Sequence, residues 1–351
     1  MGRGKRNSVT IRDVARAANV SVATVSRYIN GTAPVSKAVA ERIEKVMAEL
    51  NYVPHATARR LATNKTYTIG LLLSDISGDF FAPLLSGVEE TARRYGYDLL
   101  ISAARAPSNR AKDLPLGPHN CDGILVFTTS IEDEILRFLV QRNFPVVLIH
   151  RTPPPGIHVP CVTVENKAAS FQIVKHLIEV HHRQRIVFLR GPEDHEDSYW
   201  RERGYREALE SHNIPVDEDL IGMGGFARRT AYTAILDLIK RGVPFDGVFS
   251  GDDEAAVGVL IALREAGIRV PEEVSVVGFD DQRMSPFLSP PLTTVRAPTR
   301  DVGRVATEQL VRLIRGEEVE PLTLLPTEIV IRRSCGCAPD IPFTWEEPLT
   351  P

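Results

Sequence analysis

A chain of 351 residues, 43% of them apolar and 25% charged, is long enough for more than one globular core and too ordinary in composition for a disordered or fibrous protein. No apolar run approaches the ~18 residues that a membrane-spanning helix needs, and four cysteines in this length do not make a disulfide framework. The formal net charge of −3 conceals a division, because residues 1–65 hold 12 Lys or Arg against 4 Asp or Glu while the remainder holds 30 against 41. A basic head on an acidic body suits phosphate contacts at one end only.

The head reads as three short helices. Thr10 followed by Asp13 resembles a capping box, and Ile11, Val14, Ala15 and Ala18 recur at helical spacing behind it. Asn19 can take the left-handed conformation that ends this helix. Ser21 then stands as the N-cap of a second helix that buries Val25 and Ile29 and turns Val22, Ala23, Ser26 and Arg27 elsewhere. A third helix follows Ser36, with Val35, Val39, Ile43, Val46, Met47 and Leu50 on one stripe. Helices this short must close their apolar stripes on one another, which leaves the outer face of the second free for a DNA groove. A small all-α adaptor is the alternative. Beyond it, Pro54 favours a helix start, yet the segment to Leu61 is about two turns and is marginal alone. With Arg59 and Arg60 beside it, DNA is the surface it would fold on, Leu61 entering a minor-groove step; a plain basic linker is the other reading.

In the body, short apolar runs at 69–73, 98–102, 123–127, 145–149, 161–164, 185–189, 247–249, 274–279 and 293–295 alternate with amphipathic stretches at 81–95, 131–142, 167–181, 201–212, 228–241, 254–266 and 299–315. That alternation means parallel sheets with helices on both faces, and about 275 residues suit two such lobes. Ligands of such sheets sit beyond the carboxyl ends of the strands. The groups found there are Ser74-Asp75, His150-Arg151, Gly191-Pro192 with Arg201 at the next helix, Asp252-Asp253 and Asp280-Asp281, with Phe80, Phe81 and Phe226 in loops on the same side. Carboxylates accept from hydroxyls, an Arg donates to ring and hydroxyl oxygens, and an aromatic plane covers the C–H face of a sugar. A purine, with edges for the Arg–Asp pair and a face for the rings, is the second choice.

Residues 10–65 resemble the headpiece and hinge of the lactose/galactose-repressor (LacI/GalR) family, in Thr10-Ile-Arg-Asp-Val-Ala, Val20-Ser-Val-Ala-Thr-Val-Ser-Arg27, Asn51-Tyr-Val-Pro54 and a hinge ending in Leu61, and the likeness continues through residue 337. The resemblance implies an α/β architecture: an N-terminal three-helix helix-turn-helix headpiece, then two doubly wound parallel-sheet lobes of periplasmic-binding-protein type. It implies major-groove reading by Val22, Ala23 and Arg27, further DNA contacts from Thr10, Ser21, Thr24, Ser26 and Asn30, and hinge contacts from His55, Ala58 and Leu61, with His55 where the family usually has Asn. Through Trp200-Arg-Glu-Arg-Gly-Tyr205 and Ser275-Val-Val-Gly-Phe-Asp280-Asp, it places Arg201 and Asp280 at effector-binding positions and Phe226 at the aromatic stacking position. Asp252 stands where many members have Asn. Ser74, Asp75, Phe81, His150 and Arg151 complete the expected effector set.

The implied domains are 1–52 (headpiece), 53–65 (hinge helix and linker), 66–337 (core) and 338–351 (flexible tail). Lobe one covers about 66–164 and 295–323, lobe two about 165–294 and 324–337. Between Ser102 and Asp122, where the family runs into a helix, Pro107, Pro115 and Pro118 disfavour one. Glu193-Asp-His-Glu-Asp197 reads as a charged loop at the cleft mouth, and His181-His182 as a solvated helix end. Cys335-Gly-Cys337 lacks a second ligand pair for zinc, Cys121 and Cys161 read as core residues, and Gly222-Met-Gly-Gly225 lacks the dinucleotide fingerprint. Neither cofactor, metal nor catalytic set is expected. The reading is a cytoplasmic, bacterial, homodimeric transcriptional repressor that binds a pseudo-palindromic operator in double-stranded DNA under control of a small effector, most simply a saccharide, with no membrane partner. A solute-binding protein and a sugar enzyme on the same fold are the alternatives.

Overall fold

The computed structural model describes residues 9–30, 33–52, 65–76, 78–103 and 114–338. The chain divides into a headpiece unit, which also takes in residues 119–122, and a core unit.

In the headpiece, α1 (Ile11–Ala17), α2 (Val22–Asn30) and α3 (Lys37–Glu49) form as the spacing predicts. The Asp13 carboxylate accepts from the Thr10 N–H at 2.9 Å and from its hydroxyl at 2.7 Å. Asn19 ends α1 at φ +51°, and Ser21 Oγ accepts the Thr24 N–H at 3.1 Å, which caps α2. Val14, Ala15, Ala18, Val25, Ile43, Val46 and Tyr52 are buried together. The hinge residues His55, Ala58 and Leu61 lie outside the described residues, as does the tail from 339. Where the chain reaches the first strand, Asp122 accepts from the Thr66 N–H (2.6 Å), the Thr66 hydroxyl (2.8 Å) and the Tyr67 N–H (2.9 Å).

The core unit holds two six-stranded sheets. One runs β11 (Leu322–Leu325), β5 (Cys161–Val164), β4 (Val146–Ile149), β3 (Gly123–Phe127), β1 (Thr68–Leu73), β2 (Asp98–Ala103), parallel from β11 through to β1. The other runs β12 (Glu328–Val330), β10 (Thr293–Arg296), β9 (Ser275–Asp280), β8 (Gly247–Ser250), β6 (Ile186–Arg190), β7 (Ile221–Met223); it is parallel except for antiparallel β12. Helices α4 (Phe81–Arg94) and α10 (Thr299–Ile314) pack together, with α10 on β3, β4 and β5. On the second sheet α6 (Asn166–His181) and α7 (Glu196–Ser211) cover one face, α8 (Arg228–Lys240) and α9 (Asp253–Glu265) the other. The period of two decides this: Ile186 and Phe188 enter the α6–α7 side, Val187 and Leu189 the α8–α9 side.

The chain passes between the sheets three times, at 164–166, 296–299 and 325–328. The Glu165 N–H donates to the Leu325 carbonyl (2.9 Å) and the Thr327 hydroxyl to the Glu165 carbonyl (3.2 Å), which ties two of these passages together. Several elements differ from the sequence reading. Strands β7, β11 and β12 were not expected, α7 begins five residues before Arg201, and α5 (Asp133–Val140) is shorter than its apolar pattern. In the proline-rich segment, the described residues 114–121 form bends and turns with Leu114 and Leu116 buried.

Candidate functional site

A cavity of about 280 Å³ opens beyond the carboxyl ends of the strands. Of the expected effector residues, Ser74, Asp75, Phe81, Arg201, Phe226, Asp252 and Asp280 line it. Phe80, Phe127, Pro192, His195, Asp197 and Gln282, outside that expected set, line it too. A larger, open hollow of about 540 Å³ lies between β7 and α8, but it gathers no comparable buried charge.

Arg201 organises the site from the second turn of α7. Gly204 lets α7 approach α6, since a Cβ there would fall 2.2 Å from the Lys167 carbonyl oxygen. The buried guanidinium donates from Nε to Asn166 Oδ1 (2.9 Å), from Nη1 to the Gly251 carbonyl (2.6 Å) and from Nη2 to Asp280 Oδ1 (3.3 Å), and it stacks 3.7 Å above the Phe279 ring. Five N–H groups are available to an Arg, so this scaffold leaves donors for a ligand. Asn166 links onward: its Nδ2 donates to Asp197 Oδ1 at 2.7 Å, and Asp197 Oδ2 lies 2.8 Å from His150 Nδ1. A single buried network thus runs from His150 at the end of β4 to Asp280 at the end of β9.

The charges in this network are unequal. Burial alone would raise the Asp197 carboxyl, but the His150 ring, Arg201 and the Asn166 amide outweigh it and hold that group at about 2. Burial pushes Asp280 up to about 6, against the pull of Arg201 and with the repulsion of Asp197. Burial and then Asp280 raise Asp252 well above the usual carboxylate range. Asp252 also caps α9, accepting the Ala255 N–H at 2.9 Å. Asp253 takes Thr294 Oγ1 at 2.6 Å and the Gln282 N–H at 2.9 Å, so it fixes the loop after β9 rather than facing the cavity.

Phe226 reaches the cavity through a left-handed turn, Gly225 at φ +63° and Phe226 itself at φ +52°. Its ring occupies space that only glycine concedes: a Cβ at Gly191 would fall 2.2 Å from the ring. The Gly222–Gly225 run is therefore a strand edge and a turn that aim an aromatic plane.

Two expected effector residues sit differently. Arg151 turns away from the cavity, its guanidinium pairing with Asp133 and donating to the Ile131 carbonyl at 3.3 Å. His150 lies behind the wall in an edge-on cluster with Phe80 and Phe127, and among the described residues its buried Nε2 has no hydrogen-bond partner. On the headpiece, Val22, Ala23 and Arg27 are exposed along α2, as are Thr10 and Ser21, while Thr24 and Ser26 are half-buried; Asn30 is the last residue of α2.

Residues 10–55 match the model of "Bacterial regulatory proteins, lacI family", and residues 174–335 that of a "Periplasmic binding protein-like domain". Catabolite control protein A of Priestia megaterium is 33% identical over 333 residues, 93% of this chain and 99% of that protein. The chain belongs to the lacI family. Among solved structures, the complex of the transcriptional regulator CelR with cellobiose matches with a TM-score of 0.71 at 32% identity, covering 93% of this chain and 99% of that one. The lac repressor dimer bound to operator and the anti-inducer ONPF matches with a TM-score of 0.79 at 25% identity, covering 94% and 99%. As a lacI-family chain the protein is a transcriptional regulator with a helix-turn-helix head and a periplasmic-binding-protein-like core. Among the described residues no helix is long and apolar enough to cross a membrane.

The Asp197 position, which sequence reasoning placed in a charged loop, carried a usable signal. It precedes Arg201 by four residues, so a helix starting earlier puts both side chains on one face.

Proposed function

We propose that the protein is a homodimeric repressor whose α2 helices read the two halves of a pseudo-palindromic operator and whose core cleft binds a small neutral saccharide that alters operator affinity. The observation that carries the effector reading is the buried Arg201–Asp280 pair beside Phe226 at the cavity wall: a forked donor, a carboxylate acceptor and an aromatic plane meet in one space. A cavity of about 280 Å³ lies at the lower edge of ligand sites, roughly 300–1,000 Å³, which favours a monosaccharide over a longer sugar. Cellobiose in CelR and operator DNA on the lac repressor dimer support the two halves of the reading by likeness.

The headpiece carries the operator half. Val22 and Ala23 stand exposed at the start of α2, the end of a recognition helix that meets base edges. The dimer half of the reading is supported by the likeness to the lac repressor dimer. Asp252 caps a helix and Asp280 is ion-paired, which supports binding without turnover, and a DNA-binding regulator of this family is placed in the cytoplasm.

The experiment is a thermal-shift screen of the full chain with monosaccharides, disaccharides, sugar phosphates and nucleobases, since a ligand at 100 times its Kd stabilises by about 2.7 kcal/mol. The active compound is then titrated against operator fragments selected from a random pool. A sugar that stabilises the protein and changes operator affinity is the expected result. A nucleobase as sole stabiliser would replace the saccharide, and a single unrepeated half-site in the selected DNA would remove the dimer.

A further inference from the structure

Away from the cleft, the last turn of α6 meets the segment that follows β12. His176 and His181 project from that helix end with their rings 5.0 Å apart. Cys335 and Cys337 come from a tight turn at Gly336, whose φ of +115° suits glycine; a Cβ there would also fall 2.8 Å from the His181 ring. The Cys337 sulfur lies 3.6 Å from His176 Nε2 and 3.4 Å from His181 Nε2, and one ligand atom from each of the four residues falls within 4.8 Å of every other.

We propose that His176, His181, Cys335 and Cys337 bind a zinc ion in a closed, tetrahedral structural site that staples the end of α6 to the segment after β12. Tetrahedral zinc with Zn–S near 2.3 Å and Zn–N near 2.0–2.1 Å has S···N edges of about 3.6 Å, so both sulfur–nitrogen distances already match. Two thiolates and two imidazoles are the donor set for zinc, and carboxylates are absent from it. The sequence offered only Cys335-Gly-Cys337 and the adjacent pair His181-His182. The missing pair is His181 with His176, five residues before it on the same helix.

The surroundings hold the donors in place. Ser334 Oγ donates to the Val276 carbonyl at 2.6 Å and Ser275 Oγ to the Cys335 carbonyl at 2.6 Å, which pins the turn to the second sheet. The Thr293 hydroxyl donates to the Cys335 sulfur at 3.1 Å, as an outer partner of a metal thiolate does. Burial lowers His176 and His181, which keeps both rings neutral and able to ligate. Burial pushes the Cys337 thiol up to about 11, so zinc must displace its proton and binding releases protons.

The test uses the full chain, produced without a polyhistidine tag. Elemental mass spectrometry should find zinc equimolar with the chain, and stripping it with a chelator should lower the melting temperature of the core. Replacing the metal with cobalt(II) should give the visible bands of tetrahedral cobalt and sulfur-to-cobalt charge transfer. Cys337→Ser and His181→Gln should each lose the metal while Glu179→Gln, next to the site on α6, keeps it. Should the variants fail to fold, the cobalt spectrum of the unaltered chain decides. A chain that binds neither zinc nor cobalt at micromolar concentration, a Cys335–Cys337 disulfide in place of metal, or cobalt bands without sulfur charge transfer would each overturn the proposal.

Discussion

Replacing Arg201 with Met removes the charge at the centre of the buried network while keeping the length of the side chain. Its Nε and Nη1 bonds to Asn166 and Gly251 leave two buried acceptors unpaired, at roughly 1 kcal/mol each on the low side of the usual range. The Asp280 carboxylate also loses its partner, and breaking a buried ion pair costs about 3–5 kcal/mol in total. Asp280 has an escape, however, because burial already holds its pKa at about 6. Protonating such a group at pH 8 costs at most about 2.7 kcal/mol, two units at 1.36 each, and near pH 5.5 it costs almost nothing.

The sign follows from linkage. A carboxyl raised in the folded state contributes stability below its unfolded pKa and loses it as pH rises through the folded value. Without Arg201 the folded value rises further, so the loss extends to higher pH. The variant should therefore lie about 4 kcal/mol below the parent near pH 8 and about 2 kcal/mol below it near pH 5.5. Urea unfolding followed by tryptophan fluorescence reports this on the core, because Trp200 and Trp345 are the only tryptophans and neither is in the headpiece. Adding Asp280→Asn should recover the pH-dependent part. Equal losses at the two pH values, or no recovery in the double variant, would refute the reasoning.

Other outcomes follow from the same geometry. Gly191→Ala puts a methyl group where the Phe226 ring lies, so affinity for the stabilising sugar should fall at least about tenfold, roughly 1.4 kcal/mol; calorimetry with an unchanged Kd would show that the ring does not contact the ligand. Sugar affinity should weaken as pH drops through about 6, where Asp280 gains a proton and loses acceptor capacity, and a flat profile from pH 5 to 8 would exclude that carboxylate as a contact. Exchanging Val22 or Ala23 should alter the preferred half-site in selected DNA, whereas Val25→Asp, a charge in the headpiece core, should abolish specific binding and leave sugar binding and core melting as they were.

Much of the architecture was legible because it rests on periodicity. The long buried strands and amphipathic helices announce themselves, and Thr10, Asp13, Asn19 and Ser21 mark the headpiece turns by local chemistry alone. The short, half-exposed strands β7, β11 and β12 were not legible, since three or four residues on an edge carry too little alternation to separate them from loop. Strand-end logic placed Arg201, Asp252 and Asp280 beside the cavity but could not separate His150 from Arg151: at a left-handed His150, φ +56°, the chain turns and sends its neighbour to Asp133. The buried partnership of His150 with Asp197 depends on two elements meeting, which no local pattern records. The same reason hid the alignment of His176 with Cys337, some 160 positions apart.

The threading of the core has a consequence for the order in which the protein matures during synthesis. The three headpiece helices are consecutive and can fold as soon as they emerge, because among the described residues their apolar cluster lies within the first 52 positions. Neither sheet has that freedom. The first waits for β11 and the second for β12, both made after residue 321, and such distant pairings are slow to form. A newly made chain therefore has a finished DNA-reading head before it has a finished control cleft. A ribosome stalled or a chain cleaved in between would release a head that reads bases with no cleft to answer a ligand.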